Sequence, residues 1–134
     1  MKRFIDITDF TREELREAIN LVTFVNGNQH VYGKEMEGRI LINAFYNEDR
    51  NAKMAFTTAA TRMGGTHFDF TCNENESLKD AVTTMSSCGD VIVLNHPKKG
   101  AARAASLYAT IPVINAGDGG RAYPVKTLAD ISTV

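Results

Sequence analysis

The loop after the apolar segment RILINAFY holds polar residues that are unusual for its position. Residues Phe45 to Ala60 read FYNEDRNAKMAFTTAA, which predicts a strand end, a short loop and a helix. Such a helix start often binds phosphate, because its free N–H groups point outward and carry partial positive charge. This loop instead offers Asn47, Glu48 and Asp49, without Ser, Thr or Gly. Two carboxylates at this position argue against a working phosphate site.

Two later loops contain residues that could bind a ligand. LNHPKKGAAR places His96 and Pro97 between a strand and a helix. A histidine there can orient a ligand or transfer a proton, or it can simply hydrogen-bond to nearby backbone. NAGDGGRAYP has three glycines around Asp118, which suit close backbone approach to a ligand or a tight turn. Both alternatives stay open for each loop, and surface solvation is the default for Arg121 and Lys126.

The cysteine and histidine pattern gives no metal or redox motif. Cys72 and Cys88 lack C-x-x-C spacing, and the three histidines are scattered. This usage favours reduced structural thiols in a cytoplasmic protein over a disulfide or a metal site. We therefore expect no metal ion, no cofactor and a cytoplasmic location.

Composition and charge exclude several classes of partner. The 134 residues are 43% hydrophobic and 23% charged, with a net charge of −1. This balance gives no electrostatic basis for binding nucleic acid or an anionic membrane. No apolar run approaches the roughly 20 residues that span a bilayer, and MKRFIDITDF has no signal-peptide pattern. We expect neither nucleic acid nor a membrane as a partner.

The order of predicted elements indicates an α/β fold. Thr11 and Glu14 form a capping box at the start of the first helix. Four apolar strands follow, RILINAFY, THFDF, DVIVL and IPVINA, alternating with helices predicted at 51–63, 77–87, 100–108 and from 123 onward. Strands of this kind form a parallel sheet covered on both faces. We predict one domain over residues 1–134, a four-stranded parallel sheet flanked by helices, with ligand-binding loops at its carboxyl edge.

Several motifs carry a resemblance to a known family. HPKKGAAR, IPVINAGDGG, TLAD and ATRMGG resemble the N-terminal, carbamoyl-phosphate-binding domain of the aspartate and ornithine carbamoyltransferase family, in the same order and over nearly the whole chain. The resemblance implies the same α/β fold and a connection with pyrimidine biosynthesis. Family members also carry a second, aspartate-binding domain, for which we expect no counterpart in this chain.

The resemblance also implies a degenerate phosphate site at the start of the second helix. Family enzymes have Ser-Thr-Arg-Thr-Arg at the helix start that binds the phosphate. Counted back from RMGG, the corresponding positions are Asp49, Arg50, Asn51, Ala52 and Lys53. Only Lys53 keeps a cation where the family has one, and a lysine is a point charge in place of a planar fork.

Other positions of the family's site differ as well. The family's Arg before His-Pro is Asn95 here, although His96 is kept. The later His-Pro-x-x-Gln, which contacts the carbamoyl group in the family, reads YPVK, with Tyr123 and Lys126 at its ends. A lysine-containing loop that the family supplies to the neighbouring subunit is shortened to NENESLKDAV, in which Lys79 is the only basic residue. We therefore assign no catalytic residue.

The binding energy lost with these substitutions indicates whether the site can still bind carbamoyl phosphate. A hydrogen bond to a charged group is worth roughly 1.5–3 kcal/mol. Losing about four of them should cost on the order of 6 kcal/mol, or about 10⁴-fold in affinity. The favoured hypothesis is an inactive carbamoyltransferase-like domain with a structural or regulatory role, as a homotrimer or together with an active carbamoyltransferase chain.

Two alternatives stay open at this point. The mixed charges of the predicted strand-end pocket would suit a small-molecule binding module of altered specificity, with a zwitterion favoured over phosphate. The chain could also be the carbamoyl-phosphate-binding half of a split carbamoyltransferase that a partner chain completes.

Overall fold

The computed structural model describes residues 3–6, 9–27 and 33–119. Its strands are β1 Arg3–Phe4, β2 Ile40–Phe45, β3 Thr66–Asp69, β4 Val91–His96 and β5 Val113–Asp118. Its helices are α1 Arg12–Gly27, α2 Arg50–Arg62, α3 Leu78–Cys88 and α4 Ala101–Tyr108. The predicted helix from residue 123, with Tyr123 and Lys126, lies outside the described residues.

The strands form one parallel sheet in the order β1-β5-β4-β2-β3. The predicted α/β fold is confirmed, and each of the four predicted strands is present. The short edge strand β1 is additional, and two residues are too few to show a periodic pattern in the sequence. β1 pairs with β5 through Phe4 and Ile114, and the Asn115 side-chain amide donates to the Ile5 carbonyl at 2.9 Å.

The core lies on both faces of the sheet, as the uninterrupted apolar strands predict. On one face, β2 and β4 pack against α3 and α4 through a cluster that includes Ile42, Val82, Met85 and Leu94. On the other face, a smaller cluster holds Leu41, Ala60, Val93 and Ala116. Burial of both faces fixes β2, β4 and β5 in register, whereas all four residues of β3 are exposed at the edge of the sheet. The loops at the carboxyl ends of the strands are therefore placed at one edge.

The predicted capping box at the start of α1 is confirmed. The Thr11 N–H donates to the Glu14 carboxylate at 3.0 Å, and the Glu14 N–H donates to the Thr11 hydroxyl at 3.1 Å. The bond from the Thr11 backbone lowers the pKa of Glu14. None of the helices in the described part of the chain is long and apolar enough to span a membrane.

Two methionines provide a matched test of the core. Met85 on α3 is fully buried, whereas Met54 on α2 is 60% exposed. Met85→Ala should lower the free energy of unfolding by about 2–5 kcal/mol, because it leaves a cavity in the larger cluster. Met54→Ala should change it by no more than about 0.5 kcal/mol. Urea denaturation of both variants measures the difference, and equal losses would contradict this description of the core.

Candidate functional site

Two clefts open at the carboxyl edge of the sheet. The first, here named the Asn95 cleft, has a volume of about 420 Å³ and is lined by Asn47, Asp49, Asn95, His96, Pro97, Ala116, Gly117 and Gly119. The second, the Lys53 cleft, has a volume of about 400 Å³ and is lined by Phe45, Tyr46, Asn47, Glu48, Asp49, Arg50 and Lys53. Both volumes lie in the range of small-molecule sites.

The clefts gather most of the predicted site residues that the structure describes. Asn95 and His96 line the first cleft, Arg50 and Lys53 line the second, and Asp49 lines both. Asn51 and Ala52 lie in the first turn of α2 but line neither cleft. The loop between β2 and α2 is therefore the shared wall of the candidate site.

Asp49 is the N-cap of α2. Its carboxylate accepts the Ala52 N–H at 3.1 Å, and its carbonyl accepts the Lys53 N–H at 3.0 Å. Aspartate is a favourable residue here because a helix start attracts negative charge and needs acceptors for its free N–H groups. The chain thus supplies its own anion to the helix start.

Lys53 is paired with a carboxylate from β3. Its Nζ lies 3.5 Å from the Asp69 carboxylate, which also accepts from the Asn43 amide at 3.2 Å and contacts His67 Nδ1 at 3.3 Å. Burial by itself raises the pKa of Asp69. The hydrogen bonds from Asn43 and His67 and the charge of Lys53 act in the opposite direction and outweigh burial, so the pKa is lowered overall. Asp69 is thus held ionised and offsets the charge of Lys53.

Asn95 lies at an irregularity between β4 and β5. The register of the two strands shifts between Leu94 and His96, and the Asn95 amide nitrogen donates to the Ala116 carbonyl at 2.9 Å. Because the amide nitrogen faces the Ala116 carbonyl, the amide oxygen faces away from it. The Asn95 side-chain oxygen is buried and has no hydrogen-bond partner. A buried acceptor without a partner is costly, and few occur in a folded domain.

His96 makes the backbone contact that the sequence left as one of two alternatives. Its Nδ1 accepts the Lys98 N–H at 3.0 Å, and its ring lies against the Tyr46 ring with centroids 4.5 Å apart. Burial, followed by the charge of Lys98, lowers the pKa of His96. The ring is therefore mostly neutral at pH 7, with its proton on Nε2.

The glycine-rich loop approaches the chain itself. Gly119 has φ +62°, and a Cβ placed there would lie 2.7 Å from the Lys99 backbone nitrogen. Its N–H donates to the His96 carbonyl at 3.1 Å. A side chain at position 119 would therefore clash with the loop after β4, which explains the glycine. The contact between the loops after β4 and β5 forms one side of the Asn95 cleft.

Sequence reasoning missed the groups that support these loops. Asp69 and Asn43 lie on neighbouring strands, and only the pairing of β2 with β3 brings them to Lys53. Tyr46 packs on His96, and its hydroxyl is buried without a hydrogen-bond partner. The signal available in the sequence was Asn43 inside the apolar segment RILINAFY. A buried asparagine in a strand usually has a hydrogen-bond partner, so it could have indicated a polar cluster next to β2.

Metal ligation finds no support in the described part of the chain. No group of three or more His, Cys, Asp or Glu side chains within it could hold a metal ion. Cys72 and Cys88 are free thiols, and burial raises the pKa of Cys72 to about 11. The Cys72 thiol is therefore protonated at neutral pH and is a poor ligand or nucleophile.

A parallel α/β sheet with clefts at the carboxyl ends of its strands belongs to a broad class of ligand-binding domains. The sequence profile described as "Aspartate/ornithine carbamoyltransferase, carbamoyl-P binding domain" matches residues 2–134. The chain therefore belongs to this family, and it is an aspartate carbamoyltransferase-like carbamoyl-phosphate domain. The resemblance read from the sequence motifs is confirmed.

Relatives and solved structures agree with this assignment. The aspartate carbamoyltransferase catalytic subunits of Clostridium novyi and Clostridium perfringens are each 37% identical over 139 residues, covering 99% of this chain and 45% of theirs. The catalytic subunit of M. jannaschii aspartate transcarbamoylase superposes with a TM-score of 0.89 at 37% identity, over 99% of this chain and 46% of that one.

A Trypanosoma cruzi aspartate transcarbamoylase in complex with phosphate superposes with a TM-score of 0.88 at 28% identity. That match covers 98% of this chain and 42% of the other. The chain thus spans less than half the length of these relatives.

The charge cluster around Asp69 gives a test with a defined pH dependence. Because folding lowers the pKa of Asp69 below 3.8, its stabilising effect is present above that value and is lost as the pH falls through the lowered pKa. Asp69→Asn should lower the free energy of unfolding by up to about 1 kcal/mol at pH 7, since the carboxylate is partly exposed.

Urea denaturation at pH 7 and at pH 2 measures this effect against Glu37→Gln, which removes an exposed carboxylate on the connection before β2. A loss of equal size at both pH values would contradict the role given to the Asp69 charge.

Proposed function

We propose that this chain is a carbamoyl-phosphate domain that no longer binds phosphate and serves as a structural or regulatory subunit. In this proposal it assembles as a homotrimer or with an active carbamoyltransferase chain, in the cytoplasm and in connection with pyrimidine synthesis. The observation that carries the proposal is the Asp49 carboxylate, which accepts the Ala52 N–H at the start of α2.

Electrostatics supports the loss of phosphate binding. A phosphate at the start of α2 would approach the Asp49 carboxylate, which already occupies the position where the helix start attracts an anion. Two like charges about 4 Å apart repel by about 4 kcal/mol at an effective dielectric constant of about 20. The neighbouring backbone donor is also occupied, so the phosphate would lose a hydrogen bond as well.

The nearby cations do not offset this repulsion. Lys53 is paired with Asp69 at 3.5 Å, so an incoming phosphate would compete with an existing carboxylate. Arg50 is exposed to solvent, where a charge contributes little to binding. Asn95, at the position of the family's arginine before His-Pro, supplies no charge to the cleft that it lines.

Exposed apolar side chains support the assembly role. Leu107 is 73% exposed, Phe68 55% and Leu21 51%, on α4, β3 and α1. A subunit interface would remove such side chains from water and gain about 25 cal/mol for each Å² of apolar surface. The relatives named above are catalytic subunits, and a subunit of that type is the partner that we propose.

Isothermal titration with carbamoyl phosphate tests the proposed loss of binding directly. The purified chain should show no saturable heat at millimolar ligand, with inorganic phosphate as the comparison ligand. Micromolar binding of either ligand would overturn the proposal, and it would mean that Arg50, Lys53 and Lys126 form a phosphate site of a new design.

Asp49→Ser tests whether the carboxylate is the reason for the loss. Serine is an equally good N-cap, so α2 keeps its start while the negative charge is removed. We expect this variant to bind inorganic phosphate at millimolar concentration, whereas Glu48→Gln, which removes the adjacent carboxylate, should not. Equal behaviour of the two variants in the titration would contradict the role of Asp49.

Light scattering after gel filtration tests the assembly role. We expect the chain to elute as a trimer, or to form a mixed oligomer when refolded together with an aspartate carbamoyltransferase catalytic chain. A monomer in both experiments would overturn the assembly role. Carbamoyl transfer that requires the mixture and is lost in Lys53→Ala would instead favour a split enzyme completed by its partner.

A further inference from the structure

The strand β3 forms one edge of the sheet. It pairs with β2 on one side, and among the described strands none pairs with its far side. All of its residues, Thr66 to Asp69, are exposed. Such an edge carries backbone N–H and C=O groups to which a further strand can bond. Lysine and proline, which protect many sheet edges, do not occur in β3.

The pairing with β2 identifies the backbone groups that face the open edge. The N–H groups of Thr66 and Phe70 donate to carbonyls in and next to β2, at 3.0 Å and 2.9 Å. Successive residues of a strand direct their backbone groups to opposite sides, so the even-numbered residues of β3 face β2. The N–H and C=O groups of His67 and Asp69 therefore point to the open edge.

The side chains of β3 offer different groups on the two faces of the sheet. Phe68 is 55% exposed on one face. The side chains of His67 and Asp69 lie on the other face, where Nδ1 is 3.3 Å from the carboxylate, and they remain 40% and 46% exposed. A partner strand thus meets an aromatic ring on one face, and an imidazole and a carboxylate on the other.

A second copy of β3 is complementary to this edge when the two strands run antiparallel. With Phe68 opposite its own copy, His67 lies opposite Asp69, whose carboxylate can accept the imidazole N–H. The parallel arrangement in the same register would place Asp69 against Asp69, and like charges directly opposite each other are destabilising. The charges of β3 therefore select the antiparallel arrangement.

The backbone fits the same arrangement. The pairs formed by His67 and Asp69 are those whose N–H and C=O groups face the edge, so each pair can exchange both backbone hydrogen bonds. Phe68 and its copy then form a non-hydrogen-bonded pair, in which the side chains come closest, and a pair of aromatic residues is favourable there. Side chains and backbone thus agree on one register.

We propose that β3 binds a second copy of this chain by antiparallel strand pairing centred on Phe68. The same residues form both sides of this contact, so it has twofold symmetry and closes at two chains. It joins the two sheets into one continuous sheet. Because each chain contributes only the four residues of β3, we expect weak association, with a dissociation constant on the order of 100 µM.

This contact goes beyond the proposed subunit role and does not rest on it. A twofold contact cannot form a trimer, so it would join two monomers or two trimers. The loss of phosphate binding and the trimer are tested by titration and by light scattering at low concentration. Failure of either leaves the pairing of β3 open to its own test.

Disulfide crosslinking of Phe68→Cys tests the centre of the contact. In a non-hydrogen-bonded antiparallel pair the two Cα atoms lie about 4.5 Å apart, which suits a disulfide. The chain also carries Cys88→Ser, because Cys88 is an exposed free thiol. After mild oxidation with copper phenanthroline, we expect most of this chain to migrate as a dimer on a non-reducing gel.

Thr66→Cys is the matched control, on the same strand and equally exposed. In the proposed register position 66 lies opposite Phe70, so the two copies of position 66 are about 14 Å apart along the strands. That separation is beyond the reach of a disulfide. We expect little dimer from this variant, and none from the Cys88→Ser background, which retains Cys72.

Sedimentation equilibrium tests the contact without a new covalent bond. The average mass of the unmodified chain should rise toward twice its initial value between about 5 µM and about 1 mM, from a monomer or from a trimer. Phe68→Lys places two lysines opposite each other and should weaken the association at least about tenfold. Met54→Lys, the same charge at an exposed position of α2, should leave it within about twofold.

The proposal is wrong if the two cysteine variants crosslink equally, which would indicate random collision, or if neither crosslinks. It is also wrong if the average mass does not change with concentration. Equal effects of Phe68→Lys and Met54→Lys would likewise exclude β3 as the contact. Phe68 is more than half exposed, so its variants should fold, and the Thr66→Cys comparison does not depend on the lysine variants.

Discussion

The hydrogen bond between the Asp49 carboxylate and the start of α2 determines the charge and shape of the candidate site. Every helix start needs acceptors for its free N–H groups, and here one acceptor is the carboxylate of Asp49, within the same chain. That one bond ends the loop after β2, orders the first turn of the helix and gives the neighbouring clefts a negative group. In the proposed function, an anion that enters from solvent competes with this carboxylate, which is part of the chain itself.

The framework of the site and its charged groups are held by different interactions. The sheet, its flanking helices and the Gly119 contact with Lys99 hold the loops in the arrangement of a carbamoyl-phosphate domain. The charged groups in that arrangement are paired within the chain, Lys53 with Asp69 and the Asp49 carboxylate with the α2 backbone. Packing of this kind tolerates the exchange of surface charges because the core lies beneath them and is unaffected.

The sequence was sufficient for the fold and for the locations of the clefts. Continuous apolar segments such as DVIVL favour buried strands because of their length and β-branched residues, and their alternation with helices indicates a parallel sheet. The partners within the site were beyond reach, because Asp69 meets Lys53 only through the pairing of β2 with β3. The unpaired oxygen of Asn95 was likewise beyond reach, because the amide nitrogen of that side chain bonds to Ala116 on a neighbouring strand.

The position of β1 determines when this domain can be completed. β1 pairs with β5, and the Asn115 amide holds the Ile5 carbonyl across 110 positions of the chain. During synthesis the first strand must therefore wait until β5 has left the ribosome, while β2, β3 and β4 can already pair. Closing so long a loop is entropically costly and slow, so we expect the edge next to β5 to be the last part of the sheet to form. Until then that edge is open to any chain that offers a strand, a nascent neighbour on the same messenger included.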